Sequence, residues 1–74
     1  MTNPKHVLEQ VYAELAEYAE FLLDQRDSQE SYDLVMEFAN HIYEEQFNLA
    51  IDAARFMDDV CRDECLSIVD PVEI

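Results

Sequence analysis

Eighteen of the 74 residues are Asp or Glu, against four Lys or Arg, two His and two Cys, so any chemistry here would start from carboxylates. A carboxylate acting as a general acid needs a sheltered pocket that raises its pKa, and a helical chain this short has little room for one. His41 stands among Glu37, Glu44 and Glu45, and carboxylates one helical turn from a histidine can share a metal ion with it. The di-metal bundle signature is Glu-x-x-His projecting into a core. Here the order is Glu-x-x-x-His on a polar face, which leaves room for a metal only across a dimer interface. Cys61 and Cys65 lie four apart in a helical pattern. Their Cβ atoms would be about 5–6 Å apart, where an unstrained disulfide wants roughly 3.8 Å. They are expected to be reduced, buried small hydrophobes. Pooling four thiolates from two copies for zinc would depart from the usual C-x₂-C spacing. Ser28, Ser31 and Ser67 fall at or near helix ends, and neither histidine has an evident nucleophile beside it. Glycine is absent, so there is no phosphate loop and no nucleophile elbow. The chain reads as a non-enzyme with no metal and no cofactor.

The elements that must position these residues are helices. Without glycine, tight β connections lack their preferred residue, and the two prolines, Pro4 and Pro71, flank the chain rather than interrupt it. A first helix is predicted over about residues 4–25, with Asn3 as cap and Pro4 at the first helical position. Leu8, Val11, Leu15, Tyr18 and Leu22 recur at three and four, the seam of a packed helix, and Tyr12, Ala19 and Leu23 widen it to an arc of roughly 140°. Residues 26–29 form a turn, where Asp27 with Glu30 has the form of a capping box and Ser28 is the alternative cap. A second helix is predicted over about 30–65. Val35, Ile42, Leu49 and Phe56 repeat every seven residues. Val60 extends the seam, and the apolar arc reaches roughly 160°. A break near Phe47–Asn48 is the alternative.

One uninterrupted helix of that length would be some 50 Å long against about 33 Å for the first, leaving about a third of it without an intrachain partner. The expected fold is therefore all-α: an antiparallel helical hairpin dimerising into a four-helix bundle through Leu15, Leu22, Val35, Ile42, Leu49, Phe56 and Val60. A compact three-helix bundle is the alternative. The tail over residues 67–74 is expected to be extended, with Ile68, Val69, Val72 and Ile74 packing over the open end or, failing that, meeting a partner.

Charge is the remaining signal. Net charge is −14, whereas solubility asks for a magnitude of only about 2–8 in a small domain. The excess costs folding energy through self-repulsion. Glu14, Glu17, Glu20 and Asp24 fall on the outer face of the first helix, and Asp33, Glu37, Glu44 and Glu45 on or beside that of the second. Ordinary surfaces mix lysines among their acids. This one does so only in Asp52, Arg55, Asp59 and Arg62. Phe21 and Ile51 project from the polar sides, and Phe21 would serve as an apolar anchor ringed by charge.

Such a field repels phosphates, so the chain is not expected to bind nucleic acid or an anionic membrane directly. Carboxylates three or four residues apart rise about 4.5–6 Å along the axis, comparable with phosphate separations on one DNA strand. In size and charge the chain resembles phage-encoded inhibitors of restriction and CRISPR systems. That likeness implies a DNA mimic, occluding the basic, nucleic-acid-binding surface of a partner protein. The alternative is an adaptor or antagonist docking through apolar helix surface onto a regulatory protein, with charge serving solubility. No stretch is long and apolar enough for a membrane span or a signal peptide, so a cytoplasmic site is expected.

Overall fold

The computed structural model describes residues 3–72. Among them are four helices and no strand: α1 Lys5–Arg26, α2 Gln29–Tyr43, α3 Phe47–Ala54 and α4 Asp59–Ile68. The Pro4 carbonyl opens α1, accepting from the amides of Val7 at 3.1 Å and Leu8 at 3.3 Å. Asn3 is not the cap. It is buried, and its Nδ2 donates to Glu45 Oε2 at 3.2 Å, tying the start of α1 to the end of α2. Lys5 and Tyr12 of α1 both meet Tyr43, so α1 and α2 run in opposite directions.

The connection between them falls where predicted, but the capping differs. Asp27 takes the left-handed conformation (φ 51°) that ends α1, a role Asp fills where glycine is missing. Ser28 caps α2 instead, accepting from the Ser31 amide at 3.2 Å.

The continuous second helix over 30–65 is not formed. The chain stops at Tyr43, slightly before the alternative break near Phe47–Asn48, and again at Ala54. At the first stop Glu45 turns left-handed (φ 60°). The Gln46 amide donates to the His41 carbonyl at 2.8 Å and the Glu45 amide to Ile42 at 3.0 Å. That is a Schellman cap built without glycine. At the second stop Phe56 and Met57 donate to Ala53 and Ala54 at 3.2 and 3.1 Å, three-residue bonds that close a tight turn. Asp58 then caps α4, accepting from the Cys61 amide at 2.8 Å.

Each stop resets the helical phase, which is why the seven-residue repeat fails beyond α2. Leu15, Leu22, Val35 and Ile42 lie in the core, but Leu49, Phe56 and Val60 are 46%, 77% and 63% exposed. Beyond α2 the core is built from Ala50, Ala53, Ala54, Met57, Cys61 and Cys65, all buried in one cluster with Leu8, Val11 and Phe38, the two cysteines as expected. The three alanines let α3 lie close against α2.

Among the described residues the tail is not extended. Ser67 and Ile68 finish α4, and the Val72 amide closes a turn on Val69 at 2.8 Å. Val69 and Val72 are buried and Ile68 packs on the core, as expected. Ile74 lies outside the described residues.

The molecule measures 38 × 21 × 16 Å with a radius of gyration of 11.4 Å, as for a compact domain of this length (about 11.3 Å). Its accessible surface is 4833 Å², close to the roughly 4,700 Å² of a folded monomer of this mass. The overhang that argued for a second copy does not exist, because the chain folds back on itself.

Candidate functional site

With Leu8, Val11, Leu15, Ala19 and Leu22 buried, the roughly 100° step per residue turns Glu14, Glu17, Glu20 and Asp24 away from the core. All four are exposed. On α2, Asp33 and Glu37 are exposed, as is Glu44 at its C-terminal end, while Glu45 is half-buried against Asn3. Asp33 Oδ1 accepts from Gln29 Nε2 at 2.9 Å, and Glu37 Oε1 lies 3.8 Å from His41 Nε2. The rows therefore differ. The α2 row has neighbours that hold three of its four acids, and the α1 row consists of four solvated carboxylates.

The positive charges are spent elsewhere. Lys5 Nζ lies over the Tyr43 ring, 5.7 Å from its centre. Arg26 joins Asp58, linking the end of α1 to the start of α4. Arg55 lies 3.8 Å from Asp52, and Arg62 pairs with Asp59. Among the described residues no Lys or Arg forms an ion pair with an acid of either predicted row. The Asp58 carboxyl is held below its ordinary range, first by the Cys61 amide and then by the Arg26 guanidinium.

Phe21 is 55% exposed but not isolated. Its ring stacks on Tyr18, with centres 6.2 Å apart and planes 18° apart. Burial pushes the Tyr18 phenol up to about 12, helped by Cys61, Cys65 and Glu64 and opposed by Arg26. Cys61 and Cys65 are free and buried. Burial raises both thiols, and Cys65 is raised further by Cys61 beside it.

One feature was not legible as a site. Nothing in the sequence marks Tyr12 and Tyr43 as a pair beyond their apolar helix positions. In the fold their rings meet edge to face at 5.6 Å and 62°. They line a cleft of about 470 Å³ between α1 and α2, together with Glu9, Asn40 and Glu44. Tyr43 also borders a second cleft of about 290 Å³, lined by Asn3, Lys5, Leu8 and Glu45. The sequence signal that could have found this pairing is the antiparallel register implied by the short turn, which brings residues near 12 beside residues near 43.

Among the described residues, no group of three or more His, Cys, Asp or Glu is arranged to hold a metal ion, and no helix is long and apolar enough to cross a membrane. No family model matches the chain, and no curated protein or solved structure is similar to it.

Proposed function

We propose that this protein is a small non-catalytic inhibitor that binds and occludes a basic, nucleic-acid-binding surface on a partner protein, acting in the cytoplasm as a DNA mimic of the anti-restriction or anti-CRISPR type. The observation that supports this is the α1 row Glu14, Glu17, Glu20 and Asp24, exposed in a chain whose four Lys and Arg are engaged elsewhere. Glu37 and Asp33 on α2 add to the same field. Carboxylates carried on a preformed helix meet lysines and arginines without paying to order a flexible segment. Their long-range attraction speeds the encounter and falls with added salt. Occlusion is the whole mechanism: the groove is filled by a surface that offers no bases to read.

The test is capture on immobilised protein from nuclease-treated host lysate, eluted in salt steps and identified by mass spectrometry. Nucleic-acid-binding proteins should leave between about 50 and 500 mM salt, and added DNA should displace them. Reversing Glu14, Glu17 and Glu20 to lysine should abolish capture. A partner that survives the triple reversal and resists high salt sinks the proposal.

The second reading, docking through apolar surface, is favoured by Phe56 and Val60, exposed around the start of α4. The same pair, with Leu49, is what remains of the case for a homodimer. Light scattering across a concentration series distinguishes a dimer from the monomer.

A further inference from the structure

We propose that the cleft between α1 and α2, floored by Tyr12 and Tyr43 and rimmed by Glu9, Asn40 and Glu44, is the seat of an arginine side chain supplied by the basic partner. This rests on the occlusion reading and gives it a point of attachment.

The cleft joins two kinds of attraction for a cation. Tyr12 and Tyr43 both line it, and an aromatic ring attracts a cation through the negative face of its quadrupole. Glu9 and Glu44 are exposed carboxylates at the rim, and the Asn40 amide adds a carbonyl acceptor. The molecule already uses one of these rings for this purpose. Lys5 Nζ sits 5.7 Å from the Tyr43 centre, on the side of the neighbouring cleft that Lys5 lines. Tyr43 thus borders both a cleft served by the chain's own ammonium and one where the other described lining residues besides Tyr12 are two acids and an amide.

Charge complementarity and shape select the occupant. A chain of net charge −14 draws basic partners. Of their cations, the guanidinium is planar, stacks on aromatic rings, and forks its donors toward carboxylates. An ammonium is a compact, strongly hydrated point charge with no planar face to lay on an aromatic ring. The volume of about 470 Å³ falls within the range of about 300–1,000 Å³ usual for ligand sites. The α1 row then acts as the steering field, and the tyrosine cleft fixes register against the partner.

The proposal is tested by titrating the protein with a blocked arginine-rich nonapeptide and its lysine counterpart at physiological salt, following assigned NMR signals. Arginine peptide should shift the Tyr12 and Tyr43 ring protons and the Asn40 side-chain amide saturably. Replacing Glu9 and Glu44 together by Gln should weaken it about fivefold. Glu14, Glu17 and Glu20 replaced together by Gln should weaken it by a smaller factor, although more charge is removed. If the peptide moves signals around Glu14, Glu17 and Glu20 while both tyrosine rings stay still, the cleft assignment falls and the acidic-surface reading stands. A lysine peptide that binds as tightly with the same ring shifts overturns the choice of arginine. No saturable shift anywhere overturns the cleft assignment, and the broader reading is then decided by salt-step capture alone.

Discussion

Leu15 and Phe56 belong to the same predicted seam, yet the first has no exposed surface and the second is 77% exposed. Their substitutions should separate accordingly. Leu15→Ala opens a cavity among Val11, Ala19 and the α2 core residues and should cost about 2–5 kcal/mol. Phe56→Ala should stay within about 0.5 kcal/mol of the parent in urea denaturation. A large loss at Phe56 would mean that something in solution, such as a second copy, covers it. Tyr18 offers a second check on burial. Its phenol, pushed up to about 12, keeps its proton in the folded state after an unfolded tyrosine would have lost it. A folded value raised above the unfolded one contributes stability that is complete below the unfolded pKa of about 10 and is lost as pH rises through the folded value. The ultraviolet titration of the parent minus that of Tyr18→Phe should isolate a transition near 12. A transition at the ordinary value would mean the ring is open to water.

At the scale of the element, the ends of helices decide more than their middles. Asp58 shows this best, because its carboxylate starts α4 through the Cys61 amide and holds α1 to α4 through Arg26. Both contacts favour the charged form, so the folded value lies below the ordinary 3.8. A depressed carboxyl stabilises the fold above the unfolded pKa, and that contribution is lost as pH falls through the lower folded value. Asp58→Ala should therefore melt below the parent near neutral pH, with the gap closing in the acid range below about 4. A gap unchanged at low pH would show that the cap and the Arg26 bridge contribute nothing through charge. The same caps explain the misplaced second helix. Asp58 followed by Asp59 before Val60 and Cys61 has the form of an N-terminal signal: a cap, then an acid in the first turn. It was masked because Asp52, Arg55, Asp59 and Arg62 also read as charge pairs along one uninterrupted helix. In the fold that ladder is split, with Asp52–Arg55 on one side of the turn and Asp59–Arg62 on the other.

For the molecule as a whole, the dominant quantity is its charge of −14. Like charges crowded onto a surface of 4833 Å² repel one another more in the folded state than in an expanded chain. The melting temperature near neutral pH should rise as sodium chloride increases from about 20 to 500 mM, over which the screening length shrinks severalfold. A melting temperature indifferent to salt would mean that the acids are better compensated than the four engaged cations allow. The same charge bears on assembly, since two copies of so acidic a chain must overcome mutual repulsion before apolar surface can hold them together.

What the sequence determined by itself was the class of structure and its inner and outer faces. An absent glycine, prolines outside the helices and apolar residues at three and four required helices, and they correctly placed Leu15, Leu22, Val35 and Ile42 inside. They also placed Glu14, Glu17, Glu20 and Asp24 outside, because the face of a helix depends only on its local period. What tertiary structure decided was where the later helices stop. The segment around Ala50, Ala53 and Ala54 is content in a long helix or a short one, since propensity is local and nearly the same in both. A helix of about 50 Å would have left apolar surface without a partner, whereas turning at Glu45 and Phe56 lets α3 and α4 close the core within 38 Å. That choice exposed Phe56 and Val60. The reversal between α1 and α2 brought Tyr12 to Tyr43, a meeting across 31 positions that no local period contains.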